Sequence, residues 1–325
     1  MNLSGLADAL IEAPIVTSFT RFGYEARRRL AGWAPLGDDL TGRVIVITGG
    51  TSGLGYAAAE QLARSGATVV VVGRTAERNE RAVAELTAST GNPSISQVAA
   101  DMGDLEQVRH LAQRVLADHD RLDVLIHNAG ALDPERRVAP DDTEATVASQ
   151  VVGPFLLSRL LLDRLAESAP SRVLTMSSGG MYATGLTVSG LEMSPEDYNG
   201  TEQYARSKRA QVTLNEMLAE RYGDRGIHFH ALHPGWADTP GVDSGLPTFA
   251  KVMGPFLRTP EQGADTLVWL AADDTALASN GRFWLDRALR PIHKLPTTKR
   301  TDTPERREQL WNLVNANADA RRVNT

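Results

Sequence analysis

Thr48-Gly49-Gly50-Thr51-Ser52-Gly53-Leu54-Gly55 is the stretch that decides the fold. Ahead of it, Arg43–Thr48 is a short β-branched run of strand character, and behind it Leu54–Ser65 reads as a helix. Strand, glycine-rich turn and helix in that order form the setting in which such a turn cradles a phosphate. Gly49 permits the tight turn, Gly53 lets the backbone approach a pyrophosphate, and Gly55 lets the helix pack closely on the sheet. Thr51, Ser52 and Leu54 complete the expected cradle. Free N–H groups and the positive dipole end of the helix favour an anion there. A plain strand–helix turn is the alternative reading of an isolated glycine cluster.

Outward from this turn the chain alternates. Strand-like runs recur at Thr68–Gly73, Ser94–Ala100, Arg121–His127, Ser171–Ser177, Gly226–His233 and Arg282–Asp286. Helical stretches lie between them at Ala76–Ser89, Asp104–Asp118, Thr143–Glu167, Glu202–Arg221 and Thr259–Ala272. Buried β-branched strands joined by helices imply an α/β fold. Right-handed crossovers make it a doubly wound, predominantly parallel sheet of seven strands with helices on both faces. Ligands of such sheets sit beyond the carboxyl ends of the strands. Residues 42–290 form one such domain, residues 1–41 an N-terminal extension that can be helical, and residues 291–325 a tail with a helix opening near Pro304.

Composition narrows the function classes. A chain of 325 residues, 42% hydrophobic and 23% charged, can bury a core without staples and is neither disordered nor fibrous. Forty acids against 34 bases leave a net charge of −6, which disfavours a nucleic-acid partner. The absence of cysteine excludes disulfides, thiolate nucleophiles and Cys-ligated zinc, and fits a cytoplasmic setting. None of the seven histidines forms a ligand motif, so no metal is expected. No run reaches the ~18 apolar residues of an integral membrane segment. Residues 5–30 mix apolar side chains with Arg21 and Arg27–Arg29, a pattern compatible with peripheral membrane association. Pro14, Asp8 and Glu12 favour packing against the domain or a partner subunit instead.

The Gly-x-x-x-Gly-x-Gly spacing resembles the turn of the short-chain dehydrogenases/reductases, and further motifs match that family in order over residues 42–290. The resemblance implies a nicotinamide dinucleotide. Where NAD binders end the second strand in an acid that holds the ribose 2′-hydroxyl, this chain has Gly73 followed by Arg74. Arginine pairs with a 2′-phosphate, so NADP(H) is favoured over NAD(H). Kinship also implies that Asp101 and Met102 contact the adenine. Asn128, Ala129 and Gly130, within His127-Asn128-Ala129-Gly130, would line the cofactor ribose, and Pro234, Gly235 and Thr239 the nicotinamide loop. His127 reads as a hydrogen-bonded structural residue.

Tyr204 and Lys208 are four apart in a predicted helix and therefore share a face. A neighbouring ammonium favours the phenolate, so the pair is expected to make a general acid or base for hydroxyl–carbonyl interconversion. Lys208 should also hold the nicotinamide ribose. Ser178, second of the Ser177-Ser178 pair, is the family's ligand for the substrate oxygen. Tyr182 and Tyr198 lack a lysine four residues on and are set aside. The separation of Ser178 from Tyr204 resembles the branch of retinol-dehydrogenase-like members.

One position departs from the family: Gln150 stands where an Asn usually helps to organise the lysine proton relay. It motivates a second reading, a catalytically weak or inactive dinucleotide-binding sensor or scaffold. The first reading is an NADP(H)-dependent oxidoreductase acting on a small alcohol or carbonyl. Pro247, Phe249, Met253, Pro255 and Phe256 fall in a substrate lid at about 240–258; their apolar character points to a hydrophobic substrate, or to packing against the body. Kinship implies a homodimer or homotetramer, which the extra termini could block.

Overall fold

The computed structural model describes residues 3–12, 14–34 and 39–319. Among the described residues, three helices precede the first strand: α1 (Leu3–Glu12), α2 (Ile15–Phe19) and α3 (Arg21–Ala31). The alternation follows as β1 (Val44–Thr48), α4 (Gly53–Arg64), β2 (Thr68–Gly73), α5 (Ala76–Thr90), β3 (Ile95–Ala99), α6 (Leu105–Asp118) and β4 (Val124–His127). The next crossover opens with α7 (Ala145–Val147), passes through a π-turn at Ala148–Val152 and continues as α8 (Gly153–Glu167) to β5 (Ser171–Met176). Then come α9 (Gly200–Tyr222), β6 (Ile227–Leu232), α10 (Pro240–Gly245), α11 (Pro247–Met253), α12 (Pro260–Ala272), β7 (Arg282–Leu285), β8 (Ala288–Leu289), α13 (Pro296–Arg300) and α14 (Pro304–Asp319).

The sheet order is β3-β2-β1-β4-β5-β6-β7-β8, parallel throughout except for the last pair. The order reverses beside β1, so the crevice between the ends of β1 and β4 is the switch point where ligands bind. Alternate residues of each strand feed opposite faces. Val46, Val70 and Val72 join a core built with α6, α8, α9 and α14. Ile45, Ile47, Val69 and Val71 join the other, with α4 and α12.

The sheet has eight strands, one more than the seven expected. β8 returns antiparallel through a two-residue turn, Asp286–Arg287, with φ of 54° and 52°. Positive φ at both central residues is the twist a tight hairpin needs, and here it is met without glycine. The expected helix at Thr143–Glu167 is also interrupted. Pro154 has no N–H to give to the carbonyl of Gln150, and a proline ring crowds the carbonyl four residues back. The backbone takes a π-turn at that point, with Gly153 N–H bonded to the carbonyl of Ala148.

Ala145–Glu167 is the one described stretch long and apolar enough to cross a bilayer, and 78% of its most apolar window is buried inside the fold. Helix α14 lies across α8, α9 and the π-turn, with Leu310 and Val314 buried and Trp311 edge-on to Phe155.

Candidate active site

The glycine turn leaves the end of β1 as the sequence predicts, and its glycines answer to measurable constraints. A Cβ on Gly55 would lie 2.2 Å from the carbonyl oxygen of Gly49 and 2.4 Å from the Asn128 amide nitrogen. Gly49 and Gly53 sit at φ 68° and 54°, and a Cβ on Gly53 would face Thr239 at 3.4 Å. Ser52 makes no capping bond to α4, so the first-turn N–H groups have no side-chain cap. Uncapped donors at the head of a 12-residue helix, beside a turn with no room for side chains, fit a pyrophosphate. Asn128 ties the end of β4 to this turn, its amide donating to the carbonyls of Thr48 and Gly49 at 3.1 Å each. The backbone N–H groups of Asn128 and Ala129 both donate to the Thr48 hydroxyl.

At the end of β2, a Cβ on Gly73 would meet Asn79 Oδ1 at 2.2 Å and Thr51 Cγ2 at 2.8 Å. An acid therefore has no place at this position. Arg74 is exposed and makes no ion pair among the described residues. Asp101 turns its carboxylate onto the Gly103 N–H at 2.9 Å, while Asp104 caps α6. Met102 is buried, and its carbonyl presses so closely on Gly153 that no side chain fits there.

Beyond β5, Ser177 is buried with its hydroxyl on the Lys208 carbonyl at 3.2 Å. Ser178 is half-buried at the mouth of the sheet, its hydroxyl accepting from Gly180 N–H at 3.2 Å and lying near enough to the Tyr204 phenol to favour its phenolate. Lys208 Nζ lies 5.2 Å from the centre of the Tyr204 ring and donates to the Met176 carbonyl at 3.0 Å. The three predicted side chains therefore converge at one carboxyl end.

Their electrostatics differ from the sequence expectation. Burial disfavours the ammonium and lowers the Lys208 pKa to about 7. Burial also raises the Tyr204 pKa, and the nearby Ser178 hydroxyl only partly opposes this. The free chain thus holds a protonated phenol rather than one made acidic by its neighbour, which suits proton donation more than abstraction.

Gln150 is buried in the π-turn. Its amide donates to the Ala131 carbonyl at 2.7 Å, and its Oε1 is buried without a partner. A Cβ on Gly130 would lie 2.9 Å from that oxygen and 3.3 Å from Lys208 Nζ, so both polar ends border the same small space. The main-chain carbonyl of Gln150, which Pro154 cannot serve, accepts instead from the Gln211 amide.

The loop after β6 begins at His233, which is buried and neutral, its pKa lowered to about 3 by burial. Gly235 has φ 77°, and a Cβ there would fall 2.2 Å from Arg258 Nε. Thr239 caps α10 through Val242 N–H. His127 is likewise buried and neutral, Nε2 on the Ser158 hydroxyl at 2.7 Å. Tyr182 and Tyr198 hydrogen-bond the carbonyls of Pro291 and Asp133, away from this centre. Of the apolar lid residues, Phe256 is exposed, while Phe249 is edge-on to Trp236 at 5.1 Å.

Sequence reasoning missed Phe19, Arg27, Arg258 and Asp286, which cluster beside the loop after β6. Arg27 was visible only as part of a basic run, yet it is buried while Arg28 and Arg29 are exposed. Gln211 was also missed; Pro154, four residues after Gln150, was the available signal.

The family pattern described as short chain dehydrogenase matches residues 43–245. Dehydrogenase/reductase SDR family member 12 of Homo sapiens is 37% identical over 297 residues, covering 91% of this chain and 92% of that protein. Retinol dehydrogenase 12 of Bos taurus is 32% identical over 311 residues, covering 94% and 96%. Among solved structures, a short chain dehydrogenase from Burkholderia cenocepacia in complex with NADP superposes with a TM-score of 0.63 at 25% identity, covering 76% of this chain and 96% of that one. With a glycine turn, a seryl–tyrosyl–lysyl cluster and these likenesses together, the chain belongs to the short-chain dehydrogenase/reductase family, NAD(P)-dependent oxidoreductases acting on CH–OH groups.

Proposed function

We propose that this chain is an NADP(H)-dependent oxidoreductase that interconverts an alcohol and a carbonyl on a hydrophobic small molecule. The convergence of Ser178, Tyr204 and Lys208 beside the glycine turn carries the reading. The cofactor supplies the hydride when bound. In the reducing direction, Ser178 holds the carbonyl oxygen and the Tyr204 hydroxyl gives it a proton as negative charge develops there. Lys208 holds the nicotinamide ribose, and its ammonium replaces the proton lost by Tyr204. Gln150 Oε1, bordering the same space as Lys208 Nζ, offers that lysine a second acceptor besides the Met176 carbonyl.

Gly49, Thr51, Ser52, Gly53, Leu54 and Gly55 would hold the pyrophosphate, and Asp101 and Met102 the adenine. Asn128, Ala129 and Gly130 would hold the ribose, and Pro234, Gly235 and Thr239 the nicotinamide. Arg74, without an ion pair among the described residues, would take a 2′-phosphate, and the space at Gly73 refuses the acid that would favour NAD(H). NAD(H) remains the second cofactor to compare.

Phe22 and Phe256 approach to 6.0 Å and are both exposed, as are Val252 and Leu246. Arg21 and Arg29 lie on α3 with Phe22, and Lys251 on α11 with Val252; all three cations are exposed. We read this apolar face with its cationic rim as the place where a cytoplasmic enzyme would rest on a lipid surface. A homodimer or homotetramer would have to form away from the faces of α8 and α9 that α14 covers.

The test is NADPH oxidation with a panel of aliphatic and aromatic ketones and aldehydes, comparing wild type with Tyr204→Phe. Turnover by wild type, lost by about a thousandfold or more in the variant with NADPH binding intact, is expected. The sensor reading, which the buried departure at Gln150 favours, is upheld if wild type binds NADPH tightly and reduces none of them.

A further inference from the structure

The N-terminal helices reach into the catalytic edge of the sheet. Phe19, the last residue of α2, is buried and stands edge-on to His233 at 4.2 Å and to Trp236 at 5.7 Å. Its other side abuts the loop after β5: a Cβ on Gly179 would fall 2.8 Å from Phe19 Cε2 and 2.9 Å from His233 Nε2. One ring is thus wedged between the residue following Ser178 and the loop that carries Pro234 and Gly235.

The backbone at this point is held as firmly as the ring. The Phe19 carbonyl accepts from Trp236 N–H at 2.7 Å and from Arg258 Nε at 3.1 Å. The Ser18 carbonyl accepts from Arg258 at 2.9 Å and from Arg27 at 3.1 Å. Arg258 also donates to the Pro234 carbonyl at 3.2 Å, and its own N–H to the Trp236 carbonyl at 2.8 Å. Asp286, in the β7–β8 turn, joins the two arginines, at 2.6 Å to Arg27 and 2.6 Å to Arg258. Arg27 reaches outward to Asp8 and Glu12 of α1, both at 2.8 Å. The buried guanidinium–carboxylate–guanidinium bridge therefore links the start of the chain, the nicotinamide loop and the last hairpin.

We propose that Phe19, with the carbonyls of Ser18 and Phe19, is a positioning element of the active site, setting the gap between the Ser178 loop and the Pro234–Trp236 loop into which the nicotinamide fits. The extension acts on the nicotinamide half of the cofactor only. The adenosine half, at Gly73, Arg74 and Asp101, touches none of these groups. Filling the gap with the wrong width misplaces the nicotinamide while leaving the adenosine anchored, and small misplacements of reacting groups carry large penalties.

This inference rests on the dinucleotide reading of the site, and the experiment separates the two. Dissociation constants for NADPH and for 2′,5′-ADP, which lacks the nicotinamide half, are measured by fluorescence or calorimetry on the full chain. The variants are Phe19→Ala, Phe19→Leu and, as a buried control far from this edge, Leu165→Ala, each shown to be folded by its melting transition. Phe19→Ala is expected to weaken NADPH by about tenfold or more while leaving 2′,5′-ADP within about twofold, and Phe19→Leu to restore most of the loss. Leu165→Ala should change neither ligand. Equal binding of NADPH by wild type and Phe19→Ala overturns the proposal. So does an equal loss of both ligands, or an NADPH loss matched by Leu165→Ala, since either makes the effect one of general stability. If Phe19→Ala does not fold, Phe19→Val is measured in its place and read by the same outcomes, with Phe19→Leu still expected near wild type. Failure of wild type to bind either ligand would instead refute the dinucleotide reading itself.

Discussion

Replacing Lys208 with Met should make the protein more stable and at the same time inactive. The ammonium is buried, and its pKa is lowered from 10.5 to about 7 by that burial. Between those values the unfolded chain binds more protons than the folded one, so the lysine's contribution to stability rises with pH across the interval. At pH 7 holding this amine in place costs the folded state about 4 kcal/mol relative to a side chain without charge. Methionine has similar length and no charge to desolvate. It also abandons the Met176 carbonyl, which Lys208 Nζ serves at 3.0 Å. An unserved buried carbonyl costs about 1–2 kcal/mol. The net gain is about 2 kcal/mol, or about 3 °C in Tm for a chain of this size. Melting wild type and Lys208→Met at pH 7 and pH 10, by calorimetry without cofactor, reads this directly. The advantage of the variant should vanish by pH 10, where the wild-type amine is neutral when folded and, so close to its unfolded pKa, costs less than about 1 kcal/mol to hold there. A variant less stable than wild type at pH 7, or one whose gain is the same at both pH values, refutes the account of a charge strained by burial.

Arg74→Ala should weaken NADPH by about tenfold or more and leave NADH nearly unchanged, since only the former carries the 2′-phosphate; paired titrations check it. Asp286→Asn should cost about 3–5 kcal/mol in urea unfolding, because Arg27 and Arg258 would be left buried around a neutral amide. Burial alone would raise the Asp286 pKa, but the two guanidiniums outweigh it and hold it below 3.8. Its contribution is therefore present above about pH 4 and lost as pH falls further, and the variant should lose that part of the acid dependence. Sedimentation with vesicles of phosphatidylglycerol, compared with phosphatidylcholine alone, should carry down wild type and not a Phe22→Asp, Phe256→Asp variant.

What the sequence revealed was whatever depends on neighbours along the chain. Thr68–Gly73 is read as a strand from its four consecutive valines, and the structure places β2 at those same bounds. The turn at Gly49–Gly55 and the pair Tyr204 and Lys208 are local patterns too, and both lie at the carboxyl edge. The misses are long-range or conformational. Arg27 meets Asp286 across 259 positions, and nothing in an arginine run says which of three side chains will be buried. The turn at Asp286–Arg287 uses positive φ without glycine, so β8 carried no turn signal. The sign of the tyrosine shift was missed because the phenol is itself buried, a cost that the neighbouring lysine, disfavoured as an ammonium by its own burial, does not offset.

Proton and hydride delivery to one substrate depend on where the Tyr204 hydroxyl lies relative to a bound nicotinamide, and a crystal structure of the full chain with NADP+ measures that distance. The ring is expected between the Ser178 and Pro234–Trp236 loops. Lys208 should contact the ribose, with the Tyr204 oxygen about 4–5 Å from nicotinamide C4, close enough to share one substrate oxygen. A nicotinamide seated outside that gap, or a Tyr204 oxygen ~10 Å or more from C4, would contradict it, because no single carbonyl could then receive both hydride and proton.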